Sequence, residues 1–155
     1  MLEELNDLIS TLCTDSSIVR EMRENRLFFT DDGLIFDSFW ESNDYFKFAR
    51  SEHPSFGGGY LWTHNPTIAQ YQLVIVLGSS IRRLNSWDPI ALPSQPDTLE
   101  NAWSLTPVPD TTAIDCVYVD DPKLSFGTFT KDQWLRLASL LTMPLEDAIQ
   151  LYTTE

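Results

Sequence analysis

Leu2, Leu5, Leu8, Ile9, Leu12 and Cys13 recur at three- and four-residue intervals, the spacing that lays one side of an α-helix against a core. The pattern predicts a helix over about residues 2 to 13, with Glu3, Glu4 and Asp7 at the positive end of its dipole. Asp15, Ser16 and Ser17 then offer N-caps for a second short helix that turns Ile18, Val19 and Met22 inward and Arg20 and Arg23 outward. At LFFT (27–30) the pattern becomes aromatic and β-prone, and LIFDSFW (34–40) repeats it across Asp31-Asp32-Gly33. Two such runs around a glycine that can take a left-handed conformation predict a β-hairpin. After the polar break ESND, YFKFAR (45–50) alternates Phe46 and Phe48 with Lys47 and predicts a third strand of an antiparallel meander.

The run TIAQYQLVIVLGSSIRRL (67–84) is apolar enough to be a buried strand or a buried helix. Its length, Pro66 at the start, and Arg82 and Arg83 at the end favour one helix, apolar on most sides and therefore central. Residues 85–112 carry five prolines and predict a long irregular connection, interrupted by a short helix at DTLENAW (97–103). AIDCVYV (113–119) and KLSFGTF (123–129) predict paired strands around the turn DDPK. Thr130 and Gln133 then cap a helix bearing Trp134, Leu137, Ala138 and Leu141, Met143 and Pro144 break it, and LEDAIQLY (145–152) forms a last one. The order predicts a single-domain α+β fold over 1–155: an antiparallel sheet, meander plus C-terminal hairpin, packed against helices.

Charge changes the picture more than composition does. Ten Lys and Arg stand against 23 Asp and Glu, for a formal net charge of −13. Residues 1–50 hold five bases and eleven acids, 51–96 two of each, and 97–155 three bases and ten acids, so the ends are acidic and the middle is neutral. Such a field repels phosphate backbones and anionic lipid, and it steers a basic protein inward. Direct nucleic-acid binding and membrane association are therefore not expected. Two distant cysteines, Cys13 and Cys116, fit neither a disulfide framework nor a CxxC pair, and MLEELNDLIS is not a signal sequence. These features point to a reducing, cytoplasmic setting.

Candidate chemistry concentrates in SEHPSFGGGYLWTHNPT (51–67), which holds both histidines around three glycines. Glu52, His53 and His64 are of the right types for a metal-assisted hydrolase, although their spacing follows no metal pattern. The glycines lack the spacing and the lysine of a phosphate loop. A surface connection presenting Phe56, Tyr60 and Trp62 is the favoured reading. VIVLGSSIRRL raises an alternative, a strand running through Gly78-Ser79-Ser80 into a phosphate-handling helix, but the helix that would follow is too short to cross a parallel sheet. Gly78 is read instead as a small residue that lets helices pack closely. Asp31-Asp32 and Asp120-Asp121 sit at turns, where backbone hydrogen bonding explains them. Residues 131–152 resemble a helix-turn-helix in outline, yet the second helix carries Glu146 and Asp147 and no base, which excludes DNA reading. Arg20, Arg23 and Arg26 make the sole basic cluster visible along the chain and are read as a solvated helix face flanked by Glu21 and Glu24.

These readings favour a non-enzymatic protein-binding module, a small acidic protein of the inhibitor or immunity type that occludes a basic partner without a cofactor. Its candidate contacts are the aromatics Phe56, Tyr60, Trp62, Trp87 and Trp103 and the acids Asp31, Asp32, Asp120 and Asp121. The alternatives are the metal-assisted hydrolase on the 51–67 loop and a structural or assembly component, of viral type among others.

Overall fold

Two-residue turns shape the first half of the chain. In the computed structural model, which describes residues 2–14, 17–54, 58–93 and 97–155, Glu24 and Asn25 have positive φ (47° and 67°), as do Asn43 and Asp44 (53° and 66°). Two successive left-handed residues make the turn whose twist matches that of paired strands. The first turn joins β1 (Val19–Arg23) to β2 (Arg26–Thr30), and the second joins β3 (Phe36–Ser42) to β4 (Tyr45–Ser51). Between β2 and β3 the chain turns on Gly33 (φ 74°). There the Asp32 carboxylate accepts the Leu34 and Ile35 N–H groups at 2.8 and 2.9 Å. The Ile35 and Leu34 bonds hold Asp32 below the usual carboxylate range.

The hairpin and the third strand expected from the aromatic runs are thus present, but the expected second helix is not. Val19–Arg23 is a strand whose five residues are all exposed, with Val19 and Met22 at 63% and 54% rather than turned inward. Solvent on both faces leaves no burial period to read, and the Glu24-Asn25 turn lacks the glycine that announces a hairpin. The proposed caps Asp15 and Ser16 lie outside the described residues.

The second half supplies β5 (Leu61–Thr63), β6 (Trp103–Pro107), β7 (Ile114–Tyr118) and β8 (Ser125–Thr128). Together the strands form one eight-stranded sheet in the order β1-β2-β3-β4-β5-β8-β7-β6, antiparallel at every junction. The α+β, antiparallel class expected from the sequence is the class observed. Two connections need correction. Residues 51–67 are not loop throughout, because β5 lies inside them and joins the meander to the C-terminal strands through Leu61↔Thr128 and Trp62↔Gly127. Residues 85–112 contain β6 as well as the expected short helix (Asp97–Ala102). One outer edge of the sheet is β1, bearing Arg20, Glu21 and Arg23; the other is β6, ending at Pro107.

The remaining helices are α1 (Leu2–Leu12), α2 (Pro66–Leu84), α3 (Lys131–Leu140) and α4 (Leu145–Thr153). Asn65 caps α2, its side chain accepting the Thr67 and Ile68 N–H groups at 2.8 and 3.3 Å. Helix α2 is buried along most of its length and packs against α1, α3, α4 and β5. It runs unbroken through Gly78-Ser79-Ser80, so the strand-to-helix reading of that segment is overturned. A Cβ on Gly78 would lie 2.5 Å from the Cβ of Tyr152 on α4, which is why a glycine occupies the middle of this helix. Arg82 was expected only to complement the helix end, yet it is buried. Its guanidinium donates to the carbonyls of Asp88 (2.6 Å), Leu151 (3.1 Å) and Thr154 (2.7 Å), tying the ends of α2 and α4 together.

Strand registers assign the faces, since antiparallel partners share a side. Leu27, Phe29, Phe39, Phe46, Phe48, Leu61, Cys116 and Phe126 turn to the helices and join Leu73, Leu77, Trp134 and Leu137 in the core. Arg26, Trp40, Lys47, Trp62, Gly127 and Asp115, linked in register across the sheet, turn to the opposite face.

Candidate functional site

Each face of the sheet carries one place with the makings of a site. On the face away from the helices, cross-strand pairing brings together aromatic residues that are far apart in sequence. Arg26 lays its guanidinium on the Trp40 ring, 3.3 Å from the centroid. This corrects the reading of Arg20, Arg23 and Arg26 as one solvated helix face, because Arg26 is buried and lies on a strand. Trp62 lies flat over Gly127, where any Cβ would collide with the indole, and meets Phe129 edge-on at 5.2 Å between centroids. The Tyr45 and His64 rings stack at 3.5 Å, and His64 Nδ1 is 2.9 Å from the Asp44 carbonyl. Hollows of about 330 and 250 Å³ flank Trp62, one edged by Tyr45, Lys47 and Gly59, the other by His64, Asp115 and Ser125. Trp40, Tyr45 and Trp62 are half-buried, while Phe129 is 42% exposed.

The second place is a cleft of about 450 Å³ on the helix side, where the ends of β3 and β4 meet α2 and α3. Asp37 and Arg50 are register partners on β3 and β4, and Arg50 Nη1 donates to the Asp37 carboxylate at 3.2 and 3.3 Å. Burial pushes the Asp37 carboxyl above its ordinary range, an effect that the nearby Arg50 and Arg83 charges oppose. Arg83, near the end of α2, donates from Nε and Nη2 to Asp31 at 2.9 and 2.6 Å and from Nη2 to the Ser80 hydroxyl at 3.0 Å. The Tyr60 hydroxyl accepts the Gln72 amide at 3.0 Å, and burial pushes that phenol well up. Arg136, on α3, donates to the Ile90 carbonyl at 3.0 Å. Beside the cleft the Thr128 hydroxyl, with a single proton to give, lies 2.9 Å from the Tyr60 carbonyl and also within hydrogen-bond reach of the Gln133 side chain.

The residues singled out from the sequence do not assemble into one site. Trp62 lies on the outer face and Tyr60 in the cleft, while Trp87 is half-buried with the Arg82 guanidinium 5.5 Å from its ring. Trp103 is core, against Tyr118 and Phe126 at 5.4 and 5.5 Å, so it is not available to a partner. Phe56 lies outside the described residues. Asp31 is committed to Arg83 and Asp32 to its turn, whereas Asp120 and Asp121 are exposed, Asp121 also accepting the Lys123 N–H at 3.2 Å.

The metal reading loses its geometry. Glu52 and His53 follow the end of β4, and His64 sits beside Tyr45 at its start, so the seven residues of β4 separate them by roughly 20 Å. Among the described residues no three His, Cys, Asp or Glu side chains are grouped to hold a metal ion. Sequence reasoning missed Trp40, Tyr45 and Phe129 on one face and Asp37, Arg50, Arg83 and Arg136 on the other. The alternation of β3 and β4 could have flagged the first group, whereas nothing local marks the second. None of the described helices is long and apolar enough to cross a membrane.

No protein-family model matches the chain, and neither does any curated protein sequence. A solved structure, Rv3902c from M. tuberculosis, is similar over 97% of this chain and 87% of its own, with a TM-score of 0.72 and 13% sequence identity. At that identity the likeness establishes a shared fold.

Proposed function

We propose that this chain is a non-enzymatic protein-binding module, an acidic inhibitor-type protein that occludes a basic protein partner with the helix-free face of its sheet. The observation that carries the reading is the aromatic strip of half-buried Trp40, Tyr45 and Trp62 with exposed Phe129 on a molecule of net charge −13. Large rings held by a rigid sheet lose little conformational freedom on binding, and they are the residue types that carry most interface energy. Asp44 and Asp115 border the strip, and Asp120 and Asp121 add exposed charge beyond it. Carboxylates around an aromatic centre favour a cationic surface by steering its approach, and the rings supply the desolvated contact. The fold shared with Rv3902c provides the frame and leaves the partner open.

The test compares wild type with Trp62→Ala. A basic protein captured from the native host at about 50 mM salt is purified and titrated with both forms at that salt and at about 500 mM. The expected result is binding that weakens with salt and falls at least about 30-fold in the variant, the loss expected of a central aromatic anchor. Salt-independent binding, or equal affinity in the two forms, overturns the proposal. The melting temperature of the variant, measured alongside, confirms that it is folded.

A further inference from the structure

This chain has seven arginines and three lysines against 23 acids. Cations so scarce would be expected to spread out and offset the surrounding carboxylates. Arg50, Arg83 and Arg136 instead come from three separate elements to line one cleft. Structural pairing accounts for one of them, because Arg83 spends Nε and Nη2 on Asp31 and Ser80. It accounts for the other two only in part.

Arg50 reaches Asp37 through a single nitrogen, and its Nε and Nη2 have no protein acceptor among the described residues. Arg136 has no carboxylate partner among the described residues; its Nη1 donates to a backbone carbonyl and its guanidinium also hydrogen-bonds the Tyr152 hydroxyl, which leaves the rest of its five N–H groups. The Tyr60 oxygen accepts from Gln72, and its own proton has no hydrogen-bond acceptor among the described residues. The cleft therefore collects unspent donors of the kind that recognise an anion, with Ile75 and Val76 as an aliphatic wall.

We propose that the cleft between β3, β4, α2 and α3 binds a small phosphate monoester, its phosphate held between Arg50 and Arg136 and its body against Tyr60, Gln72 and the aliphatic wall. Two guanidinium groups on different elements, each with N–H groups left over, suit a tetrahedral dianion, which presents acceptors in several directions. A carboxylate is planar and is satisfied by a single guanidinium fork. Asp37, the one carboxylate of the lining, sits on Arg50 Nη1, so the anion is assigned to the Nε and Nη2 donors that Asp37 does not use. A cleft of about 450 Å³ lies within the size range of small-molecule sites. The site is separate from the outer aromatic strip and makes no use of a protein partner.

Calorimetric titration with glycerol phosphate, inorganic phosphate and acetate tests the assignment on wild type, Arg50→Gln, Arg136→Gln and, as a control, Arg20→Gln on the exposed edge strand. The expected result is saturable binding of the monoester with Kd below about 1 mM, weakened at least tenfold by Arg50→Gln and by Arg136→Gln and unchanged by Arg20→Gln. Arg50 is half-exposed, so its variant decides the matter if Arg136→Gln does not fold. Absence of saturable binding, acetate binding as tightly as the monoester, or binding unmoved by Arg50→Gln overturns the assignment.

Discussion

Gly78→Ala separates intrinsic helix preference from tertiary packing, because the two predict opposite signs. Gly78 lies in the middle of α2, where alanine is favoured over glycine by about 1 kcal/mol. Packing opposes the change. The added methyl would meet Tyr152 Cβ at 2.5 Å and its Cγ and Cδ1 at 2.7 Å. Carbon atoms rest at about 3.5 to 4.0 Å, so α2 and α4 must part by roughly 1 Å. The clash is with the root of the Tyr152 side chain, which is only 2% exposed and cannot swing away. Overpacking of this kind costs about 1 to 3 kcal/mol and occasionally more, and separating two helices belongs at or beyond the upper end of that range.

The expected net effect of Gly78→Ala is a loss of about 2 kcal/mol, which for a chain of this size lowers Tm by about 4 to 8 °C. Urea denaturation followed by tryptophan fluorescence measures the loss. A double-mutant cycle with Tyr152→Ala locates it, since the two changes should couple by at least about 0.5 kcal/mol if they act on the same contact. A variant as stable as wild type, or more stable, would refute the close approach of α2 and α4.

Two further predictions concern buried titratable groups. Burial raises the Asp37 carboxyl in the folded state, so the folded chain holds that proton more tightly than the unfolded chain, and stability declines as pH rises from the unfolded value of 3.8 through the folded one. Asp37→Asn should flatten that decline and leave stability at pH 7 equal to or above wild type in thermal melts across pH 4 to 8. A marked loss at pH 7 would show that the Arg50 pair outweighs desolvation. Cys116 is fully buried, and burial, reinforced by the Asp115 charge, pushes its thiol up to about 12. Iodoacetamide at pH 8 should leave Cys116 unmodified in the folded protein and alkylate it in urea, as read by peptide mass spectrometry.

How far the sequence foretold this structure depended on whether the signal was local. The Asp31-Asp32-Gly33 hairpin, the Pro66 helix start and the Thr130 cap are written in a few adjacent residues, and each is present. Strand β1 has no buried side chain, β5 is three residues long, and β6 begins at a tryptophan assigned to a helix, so each exists through its neighbours in the sheet. The candidate sites were harder still. Trp40, Trp62 and Phe129 become neighbours through register, and Arg50 and Arg136 converge across 86 positions of chain. The glycine loop drew attention through its unusual composition, yet its histidines lie at opposite ends of a strand, because local composition does not specify where a long connection returns.

The two outer strands have a consequence for how the molecule keeps company with its own kind. An open sheet ends in rows of unpaired amide and carbonyl groups that can template another strand and begin a fibril. Here Arg20, Glu21 and Arg23 crowd one margin and Pro107 interrupts the other. Charge on one side and a missing N–H on the other disfavour the joining of copies edge to edge along this long, aromatic-rich sheet.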